Sequence, residues 1–147
     1  MLPDFDRVLV ATDGSESVRR AVAVAVDLAV RFDARAEALY VLDAADLDGS
    51  PEQVRDDLRN ALQEAGDEAL ADVRRRAAER GVPVSTTVRE GHPAAEVVAH
   101  ARETDADVVA TGTRGRHGEH RLLVGSVAER VVRRASVPVL TVRRTEA

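Results

Sequence analysis

Between Gly112 and Ser126 the chain reads GTRGRHGEHRLLVGS, a segment holding three arginines, two histidines, one glutamate and four glycines. An apolar run, DVVAT, leads into it, and a helix-like run, VAERVVRRA, leaves it. Glycine lets backbone approach a ligand closely and turn its N–H groups toward it. The start of a helix offers unpaired N–H groups and partial positive charge, which together suit a phosphate. Gly112 and Gly115 fit the first role, and Ser126 adds a hydroxyl where the helix begins. A second stretch, ATDGS from Ala11, offers Asp13 as an acceptor for a ribose hydroxyl or as a ligand for Mg²⁺. A nucleotide suits this mixture better than a free sugar or a peptide does.

The same residues have plainer readings. Asp13-Gly14 is also a common turn former. Arg114, Arg116 and Arg121 either steer a triphosphate or simply solvate the loop. His117, Glu119 and His120 are metal-ligand types, but two or three such residues close together in a loop are common by accident, so zinc is not expected. His100 follows Glu96 by four positions on a helix and reads as half of a surface pair. His92 reads as part of the cap before Pro93.

What must hold these loops is a set of alternating elements. Arg7 to Thr12, Ala36 to Leu42, Pro83 to Val88, Asp107 to Thr111 and Val137 to Val142 are short apolar runs and read as strands. Helices are expected over Val18 to Phe32, Pro51 to Arg80, Pro93 to Thr104 and Gly125 to Ala135. Ser15 or Ser17 is expected to cap the first. Pro51 suits the opening of the second, and Gly81 its end. The inner face of that long helix is assigned to Val54, Leu58, Leu62, Ala65, Ala69, Val73 and Ala77, and Asp43 to Ser50 to an acidic loop. Strands that alternate with helices pair in parallel through right-handed crossovers. Strands that are apolar throughout are covered on both faces. The expectation is an α/β three-layer sandwich around a five-stranded parallel sheet. Ligands of such sheets bind past the C-terminal strand ends, where strand order reverses. The two loops rich in glycine, hydroxyl and acid follow strands one and four, which places those strands side by side and gives the order 3-2-1-4-5.

Composition narrows the classes. The 147 residues fit a single domain spanning 1–147, 44% are hydrophobic and only 2% aromatic, so the core must be Val, Leu and Ala. A net charge of −5 with few stacking rings argues against nucleic-acid binding. No apolar run is long enough to span a membrane, and the start, MLPDFDRVLV, does not read as a signal peptide. A cytoplasmic protein is expected. Every Lys/Arg position is arginine, and there is no cysteine. A P-loop lysine, a Schiff-base lysine and a thiol nucleophile are therefore excluded, and GxSxG, HExxH and CxxC motifs are absent.

The spacing Gly112-x2-Gly115-x9-Gly125-Ser126 resembles the G-x2-G-x9-G-[ST] signature of the ATP-binding subgroup of the universal stress protein family. The resemblance covers nearly the whole chain: VLVATDGS near the start, DADVVATGTRG before the loop, and GSVAERVVRRASVPVLTV at the end. It implies the same five-stranded fold and an ATP site. Gly112, Gly115, Gly125 and Ser126, with Thr113 and Arg114 inside the motif, are implied to hold phosphates and ribose. Ala11, Thr12 and Asp13 are implied to line the adenine and ribose end, with the backbone of Val41 bonding adenine and Val127 donating its N–H beside Ser126. Mg²⁺ would arrive with the nucleotide near Asp13.

Three functions remain in view. The first is a nucleotide-dependent stress-response regulator with slow or no ATP hydrolysis, signalling through a protein partner that the sequence does not name. The second is a small enzyme of related fold with genuine ATP hydrolase or nucleotidyl- or phosphoryl-transfer activity. The third, a scaffold with a vestigial site, sits poorly with three glycines kept at set spacing. A homodimer through residues 138–142 is expected, because strand five lies at the sheet edge and SVPVLTV carries no inward charge to guard it.

Overall fold

The computed structural model describes residues 5–113 and 125–144. Arg114 to Val124, which include Gly115 and the arginine and histidine cluster considered above, lie outside the described residues. Five strands, β1 (Arg7–Ala11), β2 (Arg35–Asp43), β3 (Val84–Gly91), β4 (Val108–Gly112) and β5 (Val139–Val142), form one sheet in the order β3-β2-β1-β4-β5. Every neighbouring pair is parallel. The helices are α1 (Glu16–Phe32), α2 (Ala44–Asp48), α3 (Glu52–Glu79), α4 (Pro93–Glu103) and α5 (Ser126–Arg134). The expected architecture and strand order are those observed.

The pleat divides β2 between two cores. Ala36, Ala38, Tyr40 and Leu42 join Val8 and Val10 against α1 and α3, with Val22, Val26, Leu70 and Val73. Leu39 and Leu9 face the other way, against Val97 and Ala101 of α4 and Val131 of α5. Alternation of side chains along a strand makes both faces apolar at once. β1 is fixed at its start by Asp107, whose carboxylate accepts from the N–H groups of Asp6 and Arg7 at 2.8 and 2.9 Å.

Several local expectations are corrected. Asp43 to Ser50 is not a plain loop: Asp43 caps α2 by accepting from Ala45 N–H at 2.9 Å, and Ser50 Oγ donates to the Asp46 carbonyl at 3.0 Å. Ser15 stands at the N-cap of α1 but makes no side-chain cap bond, because its hydroxyl donates to Asp13 Oδ1 at 2.5 Å. His92 likewise occupies the N-cap of α4 without a side-chain bond. In α3 the fully buried residues, Gly66, Ala69, Leu70, Val73 and Ala77, lie in the second half, and Leu62 packs partly against them, whereas Val54 is 46% exposed and Ala65 is exposed. Gly66 belongs to the stripe because Tyr40 fills the space beside it. β5 starts at Val139 rather than Val137, and β3 runs on to Gly91.

His100 is the largest departure. It is 6% exposed, and Glu96 pairs with Arg89 at 2.7 Å instead of with His100. Arg89 also reaches Glu103 at 2.6 Å and lies 3.5 Å from His100 Nδ1. Glu103 and then Glu96 hold the Arg89 guanidinium above its usual pKa, while Arg89 lowers that of Glu103. Burial first, and the Arg89 charge second, lower the pKa of His100, against a smaller opposing pull from Glu37 and Glu103. Its Nε2 is buried without a hydrogen-bond partner among the described residues.

Candidate functional site

The strands at the centre of the sheet part company at their C-terminal ends. Pairing of β1 with β4 stops at Val10↔Ala110, and pairing of β1 with β2 stops at Ala11↔Leu39. The chain then turns away through Thr12 to Ser15. Thr12 Oγ1 accepts from Gly14 N–H at 3.1 Å, and Asp13 Oδ1 accepts from Ser15 N–H at 2.9 Å. Gly14 has a φ of +78°, in the left-handed region, and a Cβ there would sit 3.2 Å from Ala69 Cβ. The positive φ favours glycine here, and the close approach of Ala69 adds a tight contact for any other residue. The turn aims Asp13 over the end of the sheet, with Oδ1 committed to Ser15.

Past the end of β1 lies a cavity of about 220 Å³. Its walls include Ala11, Thr12 and Asp13 from the first loop, Leu39, Val41 and Asp43 from β2, and Pro93 and Val97 from α4. Thr111, Gly112 and Thr113 from β4 and Gly125 to Ala128 from the start of α5 close the other side. Of the sequence-expected site residues, Ala11, Thr12, Asp13, Val41, Gly112, Thr113, Gly125, Ser126 and Val127 are thus brought together. Arg114 and Gly115 lie outside the described residues. Sequence reasoning missed Asp43, Pro93 and Val97. The signal available for Asp43 was its place two residues beyond Val41, on the same face of the strand.

Two features give the cavity its chemistry. The first is the backbone of Val41. In β2, alternate residues turn their N–H and C=O to alternate neighbours: Ala36 donates to Pro83 on the β3 side, and Leu39 accepts from Thr12 on the β1 side. Val41, two residues beyond Leu39, therefore faces the β1 side, where the ladder has already ended. A donor and an acceptor in one plane are left for a ligand edge.

The second is the start of α5. Gly125 is extended at φ −62° and ψ 158°, donates to the Thr113 carbonyl at 2.5 Å and accepts from Glu129 at 3.0 Å as the first rung of the helix. Among the described residues, no side chain caps this end. The N–H groups of the first turn, beginning with Ser126 and Val127, have no intrahelical partner, as at any helix start. They border the cavity, and the helix dipole adds partial positive charge there. The only titratable side chains among the described walls are Asp13, in the loop after β1, and Asp43, at the end of β2. The acids of the cavity thus come from the ends of β1 and β2, and its electropositive side is the start of α5. Among the described residues, no group of three His, Cys, Asp or Glu is gathered to hold a metal, and no helix is long and apolar enough to cross a membrane.

A sequence model described as the universal stress protein family matches residues 4–143. Universal stress protein MJ0531 of Methanocaldococcus jannaschii is 40% identical over 95% of this chain and 83% of its own length. The fold is also that of a solved structure of MJ0577 from the same organism, with a TM-score of 0.87 at 24% identity over 99% of this chain and all of that one. A universal stress protein solved in complex with cAMP superposes with a TM-score of 0.74 at 26% identity, over 97% of this chain and all of that one.

Proposed function

The chain belongs to the universal stress protein family, and we propose that it binds ATP in the cavity past β1 and acts in the cytoplasm as a nucleotide-dependent regulator of the stress response. The observation that carries this reading is the pairing of two backbone surfaces left without partners among the described residues, across one cavity: the N–H and C=O of Val41 on one side and the start of α5 on the other. The first suits the edge of a purine and the second suits phosphate. The relative solved in complex with cAMP supports an adenine nucleotide as the class of ligand. Gly115, by its place in the family motif, and Arg114 are assigned to the phosphate end.

Magnesium fits as a passenger. Mg²⁺ is usually held by one or two carboxylates together with substrate phosphates and water. Asp13 offers Oδ2 for that purpose, since Ser15 occupies only Oδ1. The ion would neutralise phosphate charge, and Asp13 would orient it or a ribose hydroxyl.

Turnover in this reading is slow. Asp13 and Asp43 are the only titratable groups on the described walls; Asp43 stands at the end of β2, away from α5, and Asp13 is engaged by Ser15 and, in this reading, by the ion or a ribose hydroxyl. A general base must lie within hydrogen-bond reach of the proton it takes. The protein works as a homodimer joined through residues 138–142, and its output passes to a protein partner.

The test has two parts. Mass spectrometry of the small molecules released on denaturing the purified protein should find an adenine nucleotide, and calorimetry should show Mg·ATP binding that replacement of Gly115 by Val abolishes while circular dichroism stays native. Hydrolysis should run far below the ~10 s⁻¹ of a median enzyme. Ordinary enzymatic rates that collapse on Asp13→Ala would instead favour a true ATP hydrolase or phosphoryl-transfer enzyme.

A further inference from the structure

Asp43 has two duties available and only one of them is structural. Its Oδ1 accepts from Ala45 N–H at 2.9 Å and so caps α2. A cap needs only one oxygen, and serine or asparagine does it as well. Yet the residue is a carboxylate, half-buried, on the wall of the cavity. It shares a strand face with Leu39 and Val41 and lies about 6.6 Å beyond Val41 at the usual strand rise. Placing an acid in a pocket for an anion would ordinarily weaken binding. Here the acid is on β2 and the phosphate end is on β4 and α5, two strand spacings or about 10 Å away. That is about one Debye length at physiological salt, so the repulsion is weaker than for an acid beside the phosphates, though not removed.

We propose that Asp43 reads the exocyclic amine of the nucleobase, making the site selective for a 6-amino purine over a 6-oxo purine. The inference rests on the nucleotide reading above. An exocyclic amine has two N–H bonds. The open carbonyl of Val41 accepts one, on the Watson–Crick edge. The Asp43 carboxylate, further along the strand, accepts the other, with the cap bond from Ala45 fixing its orientation. A 6-oxo base would set its own oxygen against that carboxylate, acceptor against acceptor, and leave both unpaired. Sites built to hydrogen-bond a substrate group reject the analogue lacking it because their polar atoms are then left unsatisfied.

Calorimetry on the full-length chain with Mg·ATP, Mg·ITP and Mg·N6-methyl-ATP tests this. The variants are Asp43→Asn, which keeps the cap and offers an amide donor, and Asp43→Ser, which keeps the cap and withdraws the carboxylate. Nucleotide-free melting temperatures should match wild type, showing α2 intact. Wild type should prefer ATP to both analogues. The preference for ATP over ITP should fall roughly tenfold in both variants, as expected for loss of one charge-assisted hydrogen bond, and ITP should bind Asp43→Asn more tightly than wild type. An ATP-to-ITP ratio unchanged in both variants would overturn the role of Asp43 while leaving nucleotide binding in place. A wild-type protein that binds neither nucleotide would overturn the site itself, and this inference with it.

Discussion

Gly66 of α3 lies directly against the ring of Tyr40 of β2: a Cβ at Gly66 would fall 2.6 Å from the ring's Cδ1. Tyr40 is 1% exposed, among the largest fully buried side chains of the core, so the ring has nowhere to go. Gly66→Ala should therefore destabilise the protein although alanine is the better helix former. The propensity gain is about 1 kcal/mol and overpacking costs about 1–3 kcal/mol, for a net loss of up to about 2 kcal/mol. Urea unfolding should show a lower midpoint with the slope unchanged. Adding Tyr40→Leu should restore much of the loss, and a midpoint that rises in the single variant would contradict the packing described.

Ser126→Pro should preserve α5 and damage nucleotide binding. Proline is favoured at the first helical position, and the preceding Gly125 is already extended, the conformation proline demands of its neighbour. The change removes the Ser126 hydroxyl and its N–H. Affinity for Mg·ATP should fall at least roughly tenfold, with the helical signal in circular dichroism retained. Ser126→Ala, which keeps the N–H, should lose less. Equal affinity in the proline variant and wild type would remove the start of α5 from the site.

Stability should drop as pH falls below about 6.5, and His100 should be a cause. Its folded pKa is lowered from 6.5 by burial and by Arg89. The unfolded chain then takes up the proton first, so stability is lost as pH falls through 6.5 and levels off at the lower folded value. Glu103 and Asp27, whose pKa values are also lowered by arginine partners, begin to add their own loss only at lower pH, as it falls through the ordinary carboxylate range. Melting temperatures of His100→Leu and wild type at pH 7.5 and 5.5 check this. The variant should lose less on acidification, and parallel curves would refute the assignment.

Leu140→Arg should convert a dimer to a monomer. β5 is the last strand of the sheet, paired only with β4, and Leu140 on it is 38% exposed. Light scattering should move from twice the chain mass toward 15.8 kDa. A wild type already monomeric at micromolar concentration would remove the interface.

The sheet was legible because its strands are short apolar runs separated by helices, a pattern with few topologies open to it, and because only two loops carried the chemistry of a site. What escaped the sequence was held by tertiary contact. His100 looked exposed beside Glu96 until Arg89, brought in by β3, took that glutamate. In α3 the expected Ala69, Val73 and Ala77 are core, but Ala65 was taken in place of Gly66, because glycine does not register as a core residue although Gly66 is buried. The short α2 was hidden in an acidic run whose first residue, Asp43, is its cap. The same residue was missed on the cavity wall, since the strand lengths alone do not say that β2 runs four residues past the last partner of β1.

The central place of β1 sets the order in which the molecule can be built. Its first residues bond to Asp107, 100 positions onward from Arg7, and its far flank is covered only by β4. At ordinary translation speeds of about 5–20 residues per second, several seconds pass between the two strands leaving the ribosome. During that interval β1, β2 and β3 can assemble with α1 and α3, but Val8, Leu9 and Val10 form a bare apolar edge. A chain halted before β4 therefore carries its stickiest strand at the rim of a half-sheet, ready to pair with another nascent copy, and has no place for a nucleotide to bind.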